Sequence, residues 1–154
     1  MTFDWSLARS RQSDALWMAE LRAEVMRADL ERLGRWDQLR VRQRFLDAFE
    51  SANTSVIQID DEKAGLIAVR PEGDSIWIEH FYLQPTHQGR GLGGQVLRQI
   101  MAEHEDYRPF RLNVLKGSPA RHLYERNGFV FEREDSIDVF LVAPPRAPSS
   151  PPRP

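Results

Sequence analysis

The 154-residue sequence predicts a single domain of the mixed α/β (α+β) class. Apolar residues recur at helical spacing over the first fifty positions, and the pattern then changes to the alternation typical of β-strands. Past mid-chain, a glycine-rich segment joins a predicted strand to an amphipathic helix. Residues 1–142 carry all three patterns. We therefore expect one domain there, followed by a disordered, proline-rich tail at 143–154.

The N-terminal region is predicted to hold a short strand and two amphipathic helices. Trp5–Ala8 is the strand, and Ser13 has the residue type of an N-cap for the first helix. Leu16 begins the apolar stripe of this helix, which Gly34 interrupts. Asp37 is the predicted N-cap of the second helix.

Three strands are predicted next. Ser55–Ile59 and Gly65–Val69 form a hairpin, and Ser75–Leu83 is the third strand. Side chains of an extended strand point alternately to its two faces. One predicted face of the third strand holds Ile76, Ile78, His80 and Tyr82, and the other holds Trp77, Glu79, Phe81 and Leu83.

The segment from His87 to Gly94 (His-Gln-Gly-Arg-Gly-Leu-Gly-Gly) is the most informative part of the sequence. Glycine lets the backbone turn tightly, and a helix N-terminus adds unpaired N–H groups. Together they predict a cradle for a phosphate or pyrophosphate, with Arg90 at its rim. The glycine spacing also fits a dinucleotide-binding pattern, but the next strand does not end in an acidic residue. A turn that only packs the helix on a sheet is the structural alternative.

The remaining elements complete the predicted domain. They are a helix from Leu92 to Glu105, a strand at Phe110–Leu115, and a short helix opened by Ser118-Pro119 and ended by Asn127-Gly128. Residues 129–142 are predicted to add one or two closing strands.

Two motifs, in this order, resemble those of the GNAT superfamily of acyl-CoA-dependent N-acyltransferases. The first, Gln/Arg-x-x-Gly-x-Gly/Ala at a strand-to-helix turn, is matched by Gln88–Gly93. The second, Ala-x-x-Leu-Tyr-x-x-x-Gly-Phe, is matched by residues 120–129. The resemblance covers about residues 54–142, and the N-terminal helices are compatible with it.

The resemblance implies a strongly twisted, mixed central sheet flanked by helices. Two parallel strands, here Ser75–Leu83 and Phe110–Leu115, would splay apart and hold the pantetheine arm of acetyl-CoA. The backbone of the first strand and the glycine-rich loop would bind this co-substrate. The residues implied in binding are Leu83, Gln88, Gly89, Arg90, Gly91, Leu92, Gly93, Gly94, Ser118 and Tyr124.

The resemblance also implies direct attack of a neutral amine on the thioester. An alkyl ammonium has a pKa near 10.4, so it must lose a proton before it attacks. Tyr124 is the implied proton donor to the departing thiolate, and Glu79 is the best candidate for the base. His80 and Tyr82 are alternatives for the base. Some relatives have an acid where Asn113 stands, so the route of the proton is left open.

The acceptor contacts are also inferred from the resemblance. In relatives the first two helices and their connection cover the acceptor site, which implies contacts from Arg22 and Trp36, and Trp77 is expected in a pocket wall. Many relatives have asparagine at the position of Ser118, so its contact to the pantetheine arm could be weaker here.

The predicted function is therefore transfer of an acetyl group from acetyl-CoA to a primary amine, with a small molecule as acceptor. A protein amino group is an alternative acceptor. A catalytically inactive acyl-CoA-binding sensor or scaffold of the same fold is an alternative function. A nucleotide-binding protein that uses the glycine-rich loop alone is a third.

Composition sets further expectations. The net charge of −2 disfavours a nucleic-acid partner, and the lack of cysteine excludes disulfides and thiolate metal sites. No histidine pair has metal-binding spacing, so we expect no metal. Met1–Trp5 shows no secretory signal and no apolar run has the length of a membrane span, which predicts a cytoplasmic protein without a membrane partner. Relatives are often dimers, which leaves a homodimer open.

Overall fold

Within residues 4–145, the chain folds into a seven-stranded sheet with helices on both sides. The structure of the chain, a computed structural model, describes residues 4–145. The strands are β1 (Trp5–Arg9), β2 (Thr54–Ile59), β3 (Glu62–Glu72), β4 (Ser75–Leu83), β5 (Phe110–Leu115), β6 (Val130–Glu134) and β7 (Asp138–Ala143). The helices are α1 (Ala15–Arg32), α2 (Gln38–Ala48), α3 (Leu92–His104) and α4 (Ala120–Arg126).

The strand order is β1-β2-β3-β4-β5-β7-β6. Adjacent strands are antiparallel except for β4 and β5, which run parallel at the centre of the sheet. The crossover between these two strands contains α3, as a parallel connection requires. The predicted mixed α/β (α+β) class is therefore confirmed.

The two parallel strands separate soon after they meet. Their only paired residues are Ile76↔Phe110 and Trp77↔Arg111. On its other side, β5 pairs with β7 from Phe110 to Leu115, while β4 pairs with β3 as far as Leu83. Beyond Trp77, the facing edges of β4 and β5 are unpaired with each other, and a wedge-shaped gap opens between them. The prediction of two splayed parallel strands is confirmed.

Two apolar cores lie on the two sides of the sheet. The smaller core packs α1 and α2 against β2 and β3 and contains Met18, Ala19, Leu21, Phe45, Val56 and Leu66. The larger core lies on the α3 side and includes Ile76, Ile78, Leu92, Val96, Leu97, Ile100, Leu112, Tyr124, Phe129 and Leu141. Because this core takes residues from β4, β5 and β7, it holds the sheet together below the gap.

A bulge interrupts β4 near its end. The pairs on either side of it are Leu66↔Tyr82 and Ala68↔Glu79. One residue of β3 therefore opposes two of β4, His80 and Phe81. His80 has φ +47°, in the left-handed region that few non-glycine residues adopt.

The predicted alternation of β4 was therefore wrong beyond Glu79. The extra residue turns the following side chains to the opposite faces. Phe81 packs on the larger core, whereas Tyr82 packs on the smaller one. The ring of His80 meets that of Phe45 at 5.0 Å between centroids. As a result, Glu79, His80 and Tyr82 all lie on the side of the sheet that faces α1 and α2.

The start of α1 also differs from its prediction. Ser13 lies in a 3-10 turn and is not the cap. Asp14 directly precedes the helix, and its carboxylate accepts the N–H of Arg11 at 2.8 Å. Leu16 is 72% exposed, so it lies outside the core. Asp37 does cap α2, because its side chain accepts two first-turn N–H groups at 3.0 Å. The buried residues of α1 are Ala15, Met18, Ala19, Leu21 and Ala23.

The chain leaves the sheet close to the predicted start of the tail. β7 ends at Ala143, so this strand includes the first residue of the segment predicted as tail. Residues 146–154, like residues 1–3, lie outside the described part of the chain. None of the helices within residues 4–145 combines the length and hydropathy that a membrane span requires.

Candidate active site

The loop after β4 turns directly into α3 through two glycines. Gly89 and Gly91 have φ of +75° and +87°, which a residue with a Cβ adopts only at a cost. Apart from the glycine itself and its two neighbours in the chain, no described atom lies within 4 Å of the position that a Cβ would take at either glycine. The backbone conformation, and not crowding, therefore requires glycine at these two positions.

The same loop presents a run of unpaired backbone amides. Gln88 donates its N–H to the carbonyl of Pro85 at 3.2 Å, and Gln95 donates to the carbonyl of Gly91 at 3.3 Å. Between them, the N–H groups of residues 89–94 donate to no acceptor within residues 4–145. Leu92, Gly93 and Gly94 form the first turn of α3. Consecutive free donors at a helix N-terminus form a site for an anion, and the exposed Arg90 adds positive charge.

Gln88 ties this loop back to the end of β4. Its Nε2 donates to the carbonyl of Leu83 at 2.9 Å. Next along the chain, the N–H of Gln84 donates to the carbonyl of Ala64 at 2.7 Å, which fixes the end of β4 on β3. The amide cradle is therefore held at a fixed position beside the gap.

Tyr124 of α4 lies against the bulge of β4. It is 7% exposed, and its ring meets Phe81 at 6.5 Å and Phe129 at 5.7 Å between centroids. Burial, with a smaller contribution from Tyr82, raises the pKa of the Tyr124 phenol, so the hydroxyl stays protonated at neutral pH. The hydroxyl has no hydrogen-bond partner within residues 4–145. Because no buried polar side-chain atom there lacks a partner, solvent must reach this hydroxyl.

The contact between Tyr124 and Phe81 was missed by the sequence analysis. Strict alternation assigned Phe81 to the face of Glu79, away from Tyr124. Only the bulge turns Phe81 towards α4. No residue type in β4 marks the bulge, so the sequence offered no signal for it.

Ser118 begins the turn into α4. Its Oγ accepts the N–H of Ala120 at 3.2 Å, and the side chain is half-buried. The hydroxyl therefore caps the start of the helix and can still donate its own proton to a ligand.

Glu79 is engaged in an ion pair on the α1 side of the sheet. Its Oε1 lies 2.8 Å from Nη2 of Arg70, which also contacts Glu72. The ion pair raises the pKa of the Arg70 guanidinium. The Glu79 side chain is still 32% exposed, so a ligand can reach it. Two positions earlier, Trp77 lines a groove of about 520 Å³ together with Arg111.

Arg22 links both N-terminal helices to the bulge. From α1, its Nε donates to the Tyr82 hydroxyl at 3.2 Å, and its Nη1 donates to the carbonyl of Val41 in α2. The Tyr82 hydroxyl also lies 3.2 Å from Nδ1 of His80. Burial and the charge of Arg22 lower the pKa of His80 to about 4, against a smaller opposing effect of Glu79. His80 is therefore neutral at neutral pH.

The three expected acceptor contacts lie in different places. Arg22 reaches the bulge, and Trp77 lies near Glu79 on the same face of β4. Trp36 lies in the α1–α2 connection, where Arg27 covers its ring at 4.9 Å. No contact among residues 4–145 joins Trp36 to the gap. Within the same residues, no group of three or more histidine and acidic side chains is arranged to hold a metal ion.

The family of the chain follows from its match to a family model. A family model described as acetyltransferase (GNAT) domain matches residues 50–131, a stretch that includes the amide cradle and α4. The chain belongs to the GNAT acetyltransferase family. As a GNAT-family N-acetyltransferase, the protein is an acetyl-transferring enzyme. No curated protein sequence matches the chain significantly.

Solved structures share this GNAT fold. The PaiA N-acetyltransferase from Thermoplasma acidophilum, in complex with coenzyme A, has a TM-score of 0.71 and 16% identity, over 94% of this chain and 99% of that chain. A GNAT-family acetyltransferase from Streptococcus agalactiae has a TM-score of 0.72 and 14% identity, over 96% and 99%. The ribosomal-protein-S18-alanine N-acetyltransferase from Escherichia coli has a TM-score of 0.69 and 14% identity, over 95% and 97%. At these identities the likeness is one of fold.

Proposed function

We propose that this enzyme transfers the acetyl group of acetyl-CoA to the primary amine of a small molecule. The observation that carries the proposal is the run of six unpaired amides, residues 89–94, beside the unpaired edges of β4 and β5. Acetyl-CoA has a pyrophosphate that suits such a cradle and an extended, amide-containing arm that suits an open strand edge. The coenzyme A bound by the Thermoplasma acidophilum neighbour is consistent with this co-substrate.

Each part of the co-substrate would then have its own partner. The amides of residues 89–94 and the side chain of Arg90 would bind the pyrophosphate. The backbone at Leu83 would pair with the pantetheine arm, because its carbonyl can accept a second hydrogen bond beside the one from Gln88. Ser118 would donate its hydroxyl to the same arm.

The reaction would proceed by direct attack. The amine nitrogen forms a bond to the thioester carbonyl carbon, negative charge develops on the carbonyl oxygen, and the carbon–sulfur bond then breaks. A free N–H at the edge of β4 would donate to that oxygen. The thiolate leaves with the bonding electrons and takes a proton. The Tyr124 hydroxyl, which stays protonated at neutral pH, would donate it.

Glu79 would accept the proton that the amine loses, directly or through water. Its position on β4, before the bulge and on the side of the sheet that faces α1 and α2, supports this role. His80, with a pKa lowered to about 4, is neutral at neutral pH and stays an alternative proton acceptor.

The proposal is tested by release of free thiol from acetyl-CoA in the presence of polyamines, amino acids, aminoglycosides or short peptides. Coenzyme A binding is measured in parallel by calorimetry. Amine-dependent release with a small amine is the expected result. Turnover with peptide N-termini alone would favour a protein acceptor, and tight binding without turnover of any amine would favour a sensor. Absence of coenzyme A binding would overturn the proposal.

A further inference from the structure

Arg22 is a half-buried cation without a carboxylate partner among residues 4–145. Its two hydrogen bonds go to neutral oxygens, the Tyr82 hydroxyl and the Val41 carbonyl. Charged side chains withdrawn from water are normally paired with an opposite charge. Elsewhere on this side of the sheet that rule holds, since Arg70 and Arg111 each pair with a glutamate. The positive charge of Arg22 is therefore left for another group to balance.

The third nitrogen of the Arg22 guanidinium faces accessible space. Nη2 donates to no residue within 4–145, although both Nε and Nη1 are used. No buried polar side-chain atom in that range lacks a partner, so solvent must reach Nη2. A charged donor thus points into accessible space beside the bulge of β4.

His80 supplies a second donor at the same place. Arg22 can only donate to the Tyr82 hydroxyl, so the phenol proton is free to go to Nδ1 of His80 at 3.2 Å. A neutral imidazole carries one proton, which then lies on Nε2. Nε2 also has no partner within residues 4–145, so it too is accessible. Two donors, one of them charged, therefore belong to the two residues that contact the Tyr82 hydroxyl, and neither donor has an acceptor within residues 4–145.

We propose that Arg22 and His80 form a subsite for a carboxylate of the acceptor, and that the acceptor is therefore an amino acid or another amine that bears a carboxylate. This inference rests on the proposed acetyl transfer. The subsite lies directly after Glu79 along β4, so an amine close to its own carboxylate could reach Glu79 and the gap together. Acceptors that carry only positive charges, such as polyamines, would be repelled by Arg22.

Matched pairs of acceptors test the subsite. Glycine, L-alanine, L-phenylalanine and L-lysine are each compared with their amides, at equal concentrations of neutral amine, by thiol release from acetyl-CoA. Amidation removes the carboxylate charge and changes the shape little. We expect kcat/KM for at least one acid to exceed that for its amide by about tenfold or more. Equal or faster turnover of every amide would overturn the subsite and leave the proposed function intact.

Variants then assign the preference to Arg22. In Arg22→Gln, the ratio of kcat/KM for the acid to kcat/KM for its amide is expected to fall to about twofold or less. Arg22→Lys should keep most of the wild-type ratio. Arg44→Gln, an exposed position on α2 with the same change of net charge, should keep the wild-type ratio. A wild-type ratio in folded Arg22→Gln would overturn the assignment. If Arg22→Gln does not fold, the preference for acids over their amides is judged from the kcat/KM ratios of the wild type and Arg22→Lys. Absence of thiol release with any amine would overturn the proposed function itself.

Discussion

Nδ1 of His80 lies 3.2 Å from the hydroxyl oxygen of Tyr82, two residues further along the same strand. The contact forms where the bulge gives His80 a left-handed backbone conformation and brings its ring against Phe45. Arg22 approaches the same hydroxyl from α1. An imidazole that is largely buried beside a guanidinium resists protonation, and the stability of the protein should depend on pH for this reason.

His80→Asn is expected to flatten the acid side of the stability profile. The pKa of His80 is about 4 in the native state against an ordinary value of 6.5, so between these values the unfolded chain binds more protons. Wild-type stability therefore falls as pH drops from about 6.5 to 4, by up to about 3 kcal/mol from this group. Asparagine tolerates positive φ but does not titrate. Denaturant unfolding at pH 7 and pH 4 measures the difference. His122→Asn, an exposed control, should retain the wild-type slope.

Tyr124→Phe is expected to lower acetyl transfer about tenfold or more while coenzyme A affinity stays within about twofold. The ring contacts with Phe81 and Phe129 remain, and only the proposed proton donor is lost. Tyr107→Phe provides the control, since Tyr107 is 79% exposed and precedes β5 at the end where β4 and β5 are paired. Turnover is followed by thiol release. Unchanged turnover in Tyr124→Phe would remove the phenol from the mechanism.

Glu79→Gln is expected to reduce kcat/KM by about a hundredfold, because glutamine cannot accept the proton of the ammonium. Glu72→Gln is a matched control, since Glu72 contacts the same Arg70 but is 64% exposed at the end of β3. If both variants lose activity equally, the effect comes from the release of Arg70 and not from a missing base. Rates of thiol release measured for both variants across pH 6–9 further distinguish a missing base from the release of Arg70.

Gly91→Ala is expected to weaken coenzyme A binding about tenfold or more. Its φ of +87° strains a Cβ-bearing residue by roughly 1–2 kcal/mol, and relief of that strain would turn the cradle amides away from the ligand. Gly34→Ala meets the same backbone penalty at φ +69°, again with open space around the added carbon. Both variants should lose similar stability, yet only Gly91→Ala should lose binding in calorimetry.

Asp14→Ala is expected to destabilise the fold by about 2–3 kcal/mol. The carboxylate is 6% exposed and accepts hydrogen bonds from the Arg11 amide, Trp17 Nε1 and Lys63 Nζ, so its removal leaves several donors unpaired. Lys63→Met removes only the ion-pair partner, whose side chain is 53% exposed, and should cost less than about 1 kcal/mol. Urea unfolding measures both. Equal losses would show that the ion pair, and not the backbone contact, stabilises this end of α1.

Elements with local signals were predictable from the sequence. The bounds of β4 agree with the structure because turn residues flank the alternating run on both sides. The start of α3 at Leu92 follows from the glycines before it. Both family motifs are local for the same reason, so the cradle and Tyr124 could be singled out from the residues alone.

Contacts set by tertiary packing could not be predicted. The bulge at His80 depends on how β3 pairs with β4, and no residue type in β4 indicates it. Arg22 and Tyr82 are 60 positions apart, so their hydrogen bond has no local signal. β7 lies between β5 and β6 in the sheet. The alternation of apolar and polar residues is compatible with more than one order of these strands, so it did not predict this one. These long-range choices, more than the motifs, determine the side of the site that we propose for the acceptor.

The short pairing of β4 with β5 has a thermodynamic consequence. With only Ile76↔Phe110 and Trp77↔Arg111 in register, the two halves of the sheet meet along most of their boundary through side chains alone. A ligand that fills the gap touches both halves and binds only the folded chain. By mass action it then stabilises the fold, by about 2.7 kcal/mol at a free concentration one hundred times its Kd. The melting temperature would thus rise and fall with the supply of that ligand, whether or not an acceptor is present.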